Sequence, residues 1–294
     1  MNNSQKVEVQ IINAFVDNGQ GGNPAGVVLN ADKFTNEQKL DIAQKVGLSE
    51  TAFVSNSQTA DFKLDFFTPI RQIAHCGHAT IATFSYLFQL GKIKKNLISS
   101  KETIDGNREI SLQGDLAFME QKPPVYTDIQ PRKNEILKSL GLKEDDLLPN
   151  APISIVNTGN SFAIIPIKNP TILQNINPDF DLITQISDEF DLIGYYVFCT
   201  QTTDNQRDAN TRMFAPRYGI KEESGTGMAA GPLACYLYDI FGLKKKTILI
   251  QQGWFMDKPS PSLITVELSF ENDKIVKVMA GGKGIVKESM LIEI

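Results

Sequence analysis

The sequence predicts an α+β protein built from two similar, sheet-rich halves. Three observations carry this expectation. Stretches with strand periodicity outnumber helical ones and do not alternate with them, which argues against a doubly wound parallel sheet. A strand–glycine–helix unit occurs twice, 150 residues apart, in a chain of 294 residues. That length, with 41% hydrophobic and 21% charged residues, suffices for two domains that each bury a core.

Taken in order, alternation predicts strands over 7–15 and 26–29. A helix over 36–46 follows, because Thr35 and Gln38 have the spacing of a capping box and Gly47 stops it. A strand over 62–67 leads to the first repeated helix, opened by Gly77 and followed by Gly91. The polar stretch 123–152 holds a helix over 131–140, with Pro131 at its start and Gly141 past its end. Strands over 153–156 and 162–166 lead toward the second repeated helix, opened by Gly227 and followed by Gly242, and a strand over 263–270 comes later. The first half is expected to comprise residues 1–122 plus 279–294, the final strand returning to it, and the second half residues 123–278.

The repeat lays 76–88 on 226–238, with the glycine, the first alanine, the tyrosine and the leucine identical. Each unit follows a Phe-x-Pro, Phe67-Thr68-Pro69 or Phe214-Ala215-Pro216. Asn13 and Asn157 stand in similar strand contexts, 144 residues apart. Glycine lets the backbone turn sharply and a ligand approach closely. The helix start behind it offers unpaired N–H groups and the positive end of the helix dipole. Two such starts facing across a cleft would hold an anionic substrate, or stabilise an enolate forming beside a carboxylate.

The inventory excludes several classes. Two His, three Cys and one Trp leave little for a metal centre. His75, Cys76 and His78 cluster, but Cys199 and Cys235 are distant and pair with no ligand, so neither a structural zinc site nor a disulfide framework is expected. A net charge of −5 argues against a nucleic-acid partner. No run of about 20 apolar residues predicts a membrane span. The first eight residues lack the basic and apolar regions of a secretory signal, and three unpaired thiols suit a reducing compartment, so the expected location is cytoplasmic.

Longer motifs carry a resemblance. Asn23-Pro24-Ala25-Gly26-Val27-Val28, Gly47-Leu48-Ser49-Glu50-Thr51-Ala52-Phe53-Val54, Phe67-Thr68-Pro69 and Cys76-Gly77-His78-Ala79-Thr80 come first. Thr158-Gly159-Asn160, Arg212-Met213-Phe214-Ala215-Pro216, the segment from Thr226 to Leu233, Gln252-Gly253 and Lys258-Pro259-Ser260 continue in the same order. Together they resemble the PhzF-like family of phenazine biosynthesis. The resemblance implies a diaminopimelate epimerase-like fold: two pseudo-symmetric domains, each a mainly antiparallel sheet wrapped around a central helix, with the site between them.

The resemblance also implies an isomerase that moves a proton at carbon in a small, cyclic carboxylic acid, with no cofactor and no metal. The family's general acid/base falls on Glu50 and its active-site histidine on His78. Burial raises a carboxylate's pKa, which suits a group that must take and return a proton. Glu223 assists as a second carboxylate. Asn23, Cys76, Gly77, Thr226, Gly227 and Met228 fall on the substrate pocket, with Asn23-Pro24 read as a turn that shapes it. A homodimer is implied as well. His75 matches no fixed catalytic group. Three positions depart from the family pattern: Glu223 for aspartate, Met228 for serine and Lys258 for arginine. Met228 removes a hydroxyl and suits core packing equally, Lys258 replaces a planar fork with a point charge, and the set points away from the phenazine precursor as substrate. Two alternatives stand beside the isomerase. One is a one-base epimerase, racemase or dehydratase using Cys76, which otherwise packs inertly behind the turn. The other is a non-catalytic protein that binds a small acid.

Overall fold

The computed structural model describes residues 5–94, 97–202 and 204–294. Residues 1–4, which belong to the segment read for a secretory signal, lie outside the described residues. The chain forms two compact units, one of Met1–Glu120 with Gly281–Ile294 and one of Gln121–Ala280. No described helix is long and apolar enough to cross a membrane.

The first unit contains β1 (Lys6–Ala14), β2 (Asn23–Val28), α1 (Asn36–Val46), β3 (Thr51–Ser55), β4 (Phe62–Phe67) and the short β5 (Gln72–Ile73). Then come α2 (Gly77–Gln89), β6 (Ile98–Thr103), β7 (Gly106–Gln113) and β8 (Leu116–Gln121). The second unit contains β9 (Val125–Asp128), α3 (Lys133–Ser139), β10 (Ser154–Asn157), β11 (Ser161–Pro166), α4 (Pro170–Gln174), α5 (Phe180–Glu189) and β12 (Gly194–Cys199). It continues with β13 (Ala209–Ala215), β14 (Ile220–Glu223), α6 (Gly227–Asp239), β15 (Thr247–Gln252) and β16 (Ser262–Glu271), and β17 (Lys274–Glu293) completes the chain.

Pairing follows one plan twice. In the first unit β1–β2 is antiparallel, β2–β3 parallel, β3–β4 antiparallel, β4–β6 parallel and β6–β7 antiparallel. In the second, β10–β11, β11–β12, β12–β13, β13–β15 and β15–β16 repeat that sequence of senses. In the first unit β7 pairs with β8, β8 with β17 and β17 with β1, so β1, β2, β3, β4, β6, β7, β8 and β17 close into a ring.

Each plan has one central helix. α2 and α6 both have 13 residues and start 150 residues apart, and each buries ten of its residues. A helix apolar on every side belongs in a core. Small residues let strands come close: a Cβ on Gly284 of β17 would stand 2.6 Å from the Ser85 Cβ of α2. Outer helices cover the other sheet faces. α1 packs Ile42, Ala43 and Val46 with Val9, Val28 and Phe53, and α5 packs Ile183 and Ile186 with Ile165, Tyr195 and Phe214.

The capping box at α1 forms as its spacing predicts: Thr35 accepts from the Gln38 N–H, the Gln38 side chain accepts from the Thr35 N–H, and Gly47 closes the helix at φ 70°. Two expectations are corrected. The helix placed over 131–140 opens as a 3-10 turn at Gln130–Arg132, and α3 begins only at Lys133, because Pro131 sits inside that tighter first turn. Asn23-Pro24 is not a turn. Both residues belong to β2 and pair with Ala14 and Asn13. The ladder to β3 begins at Gly26, so the N–H that Pro24 lacks is not called on there. The reversal lies earlier in the 15–22 segment, where Asn13 Nδ2 donates to the Gly21 carbonyl at 2.6 Å.

Candidate active site

In the first unit, the end of α1 and the start of β3 place Glu50. Its carbonyl accepts from the Gly26 N–H at 3.1 Å, which extends the parallel ladder of β2 and β3 by one residue. No side chain fits at Gly26: a Cβ would meet Thr51 Oγ1 at 2.8 Å. Glu50, immediately before β3, is buried, 8% exposed as a residue.

α2 brings the partners. Its first turn carries His78 and its N-cap is Cys76, both buried. Glu50 Oε2 lies 3.3 Å from His78 Nε2, and Cys76 Sγ lies 3.6 Å from His78 Nδ1. The Glu50–His78 contact is close but not aligned as a hydrogen bond, and Glu50 Oε2 accepts no hydrogen bond among the described residues. Ligand atoms of the three residues lie within 4.8 Å of one another. Opposite ring nitrogens of His78 face the two partners. Burial pushes the Cys76 thiol above its ordinary 9.0; the neighbouring Glu50 adds to the shift and His78 opposes it. At neutral pH Cys76 is therefore a thiol, not a base. Its sulfur faces the histidine from the N-cap of α2.

The start of α2 has neither a side-chain cap nor an acidic residue in its first turn. The start of α6 in the second unit has neither as well. Around α6 the second unit places Glu223, Thr226, Gly227 and Met228. Thr226 Oγ1 donates to Glu223 Oε2. Behind them is a buried polar chain. Thr211 donates to Tyr196 OH at 3.1 Å, and Tyr196 OH donates to Gln252 Oε1 at 2.9 Å. Gln252 Oε1 also takes the Thr226 N–H at 3.1 Å, while Gln252 Nε2 donates to the Glu223 carbonyl at 2.6 Å. Gly253 lets this strand end turn, at φ 80°; a Cβ there would fall 2.2 Å from the Ser260 carbonyl oxygen. Gln121 Nε2 donates to the Gly227 carbonyl at 2.8 Å.

Each site residue expected from the sequence has a definite place. Glu50, Cys76, Gly77 and His78 converge in the first unit, and Asn23 is buried at the start of β2. Glu223, Thr226, Gly227 and Met228 converge in the second. Met228 is half-buried rather than core, and its Sδ takes a contact from Asn160 Nδ2 at 3.5 Å. Lys258 is exposed. The residues that sequence reasoning missed are polar neighbours of the two helix starts: Tyr196 and Gln252 in the second unit, Thr80 and Lys101 in the first. Only Gln252 and Thr80 carry any signal, as members of quoted motifs.

Comparison with known proteins places this geometry in a family. The PhzC-PhzF family of phenazine biosynthesis-like proteins matches residues 12–289. An uncharacterized isomerase of Clostridium acetobutylicum is 32% identical, the match covering 96% of each chain. The trans-2,3-dihydro-3-hydroxyanthranilate isomerase of Pseudomonas chlororaphis is 29% identical over 94% of this chain and 95% of its own. The crystal structure of a PhzF-family phenazine biosynthesis protein of Bacillus anthracis superposes with a TM-score of 0.89 at 27% identity, covering 99% of this chain and 100% of that one. The fold is the diaminopimelate epimerase-like α+β fold that the sequence predicts.

Proposed function

The chain belongs to the PhzC-PhzF family of phenazine biosynthesis-like proteins and is an isomerase, and from that premise we propose that Glu50 moves a proton between carbons of a small, cyclic carboxylic acid. One observation carries the assignment: a buried carboxylate oxygen that accepts no hydrogen bond among the described residues, 3.3 Å from the imidazole of His78. A carboxylate with no committed donor is open to a substrate C–H. One group that takes a proton at one carbon and returns it at another performs an isomerisation with no other reagent. His78 steadies the carboxylate and hydrogen-bonds the substrate, and Glu223 assists as a second carboxylate. The backbone N–H groups at Gly77 and Gly227 bind anionic oxygen, supported by two helix starts that hold no acid of their own. Asn23, Cys76, Thr226 and Met228 line the substrate.

The substrate class follows the relative named for a dihydro-hydroxyanthranilate, a ring carboxylate. Met228 offers no hydroxyl at its position, which supports a different ring acid as the physiological substrate. The buried free thiols Cys76, Cys199 and Cys235 support a cytoplasmic location. A homodimer belongs to the same reading, and light scattering at twice the chain mass checks it.

The test is deuterium wash-in from D₂O across a panel of cyclic and unsaturated carboxylic acids, dihydro-hydroxyanthranilate included. With an acid that exchanges, Glu50→Gln is expected to slow exchange at least ~10³-fold, at the strong end for a general base. Cys76→Ala is expected to keep most of the rate, because the thiol is protonated. Exchange by Glu50→Gln at the wild-type rate refutes the assignment. Loss confined to Cys76→Ala would favour the one-base epimerase reading.

A further inference from the structure

Lys101 on β6 is fully buried, with 0% exposure. No carboxylate lies within ion-pair distance of it among the described residues, unlike Lys39 in the same unit, which meets Asp65 at 2.6 Å. A buried amine without a counter-charge is costly. Its two polar partners stand at the start of α2. Lys101 Nζ donates to Thr80 Oγ1 at 2.6 Å and lies 3.2 Å from His75 Nδ1. Thr80 Oγ1 in turn donates to the Cys76 carbonyl at 2.6 Å. The Phe66 ring of β4 lies 5.1 Å from the amine. Arg108, opposite Lys101 across β6 and β7, opposes its charge, while Asp105 in the turn favours it.

We propose that Lys101 is a positioning residue: its amine ties Thr80 and His75 together and so holds the first turn of α2, with Cys76 and His78, against Glu50. The arrangement parallels the buried Tyr196–Gln252–Thr226 chain behind α6. Both glycine turns thus have a polar brace on their inner side, built from unrelated residues. The amine needs no contact with the reacting atoms for this role, because it acts on the turn that carries them.

This inference rests on the reading of Glu50 and His78 for its functional meaning, but its test does not require turnover. The readout is alkylation of the three cysteines by iodoacetamide, located by mass spectrometry. All three are buried, and Cys199 and Cys235 belong to the second unit, so they report general unfolding. Lys101→Met removes the amine and keeps the volume; Thr80→Val removes the hydroxyl link and leaves Lys101 in place. Both are expected to speed alkylation of Cys76 about tenfold, as expected for a local opening eased by one hydrogen bond. Cys199 and Cys235 should keep their rates, and low urea should leave the Cys76 rate unchanged. The side-chain NMR spectrum, with only two histidines, should show the His78 signal displaced in both variants. An unchanged Cys76 rate in Thr80→Val overturns the proposal, whether or not Lys101→Met folds. So does an acceleration shared by all three cysteines, or one that climbs steeply with urea. A failed Glu50→Gln exchange test would leave these alkylation rates untouched, so the two readings fail separately.

Discussion

At the residue scale, the site depends on a few atoms with no room to move. Gly26 faces the Thr51 side chain, next to Glu50, with a Cβ position 2.8 Å from Thr51 Oγ1. Gly26→Ala should therefore cost about 1–3 kcal/mol by overpacking and should lower exchange further by displacing Glu50; urea denaturation and the wash-in assay measure the two effects. A fully stable, fully active variant would show that β2 and β3 can separate there. Glu50, His78 and Cys76 were legible because the strand signal, the glycine and the helix pattern are all local in sequence. Lys101 was not: one lysine in an alternating strand reads as a solvent-facing residue, and only the ring of strands turns it inward.

At the element scale, caps and glycines decide where helices begin and end. The capping box of α1 is local, so its sequence and its structure agree in detail. Thr35→Ala should cost about 1 kcal/mol, visible as a lower urea midpoint with an unchanged slope. No change in midpoint would mean that α1 is held by its packing alone. α3 shows the opposite case. Pro131 announces a helix start, but hydrogen-bond geometry makes its first turn 3-10 and delays α3 to Lys133. α5 was missed, although Asp179 caps it by accepting from the Leu182 N–H, because no glycine or repeated motif marks its limits. The twenty-residue β17 was missed as one element because its first part belongs to one unit and its last part to the other.

At the scale of the whole molecule, the buried amine gives stability a pH dependence. Burial lowers the Lys101 pKa from 10.5 to about 7, with Arg108 adding to the effect. In the unfolded chain the amine holds its proton to about pH 10.4. Between those values the unfolded state binds more protons than the folded state, so stability rises with pH across that window. Below about pH 7 both states hold the proton and the slope vanishes. Relative to Lys101→Met, the wild type should gain roughly 1 kcal/mol per pH unit between pH 7.5 and 9.5. Paired urea titrations measure the difference, in which titrating groups remote from Lys101 cancel; His75, whose pKa burial and then Lys101 lower, does not. A constant difference would show that Lys101 keeps its proton in the folded state.

By itself the sequence determined the class of the fold, the two-fold repetition, the family, and the identity of the groups around the first glycine turn. These are set by local periodicity, by turn residues and by motifs within a few positions of one another. The tertiary structure decided what surrounds those groups: which face of each strand is buried, which distant side chains brace each helix start, and which nitrogen of His78 meets which partner. Those outcomes depend on strands that pair across tens to hundreds of residues. A one-residue shift in such a pairing turns every side chain to the other face, and no local pattern records it.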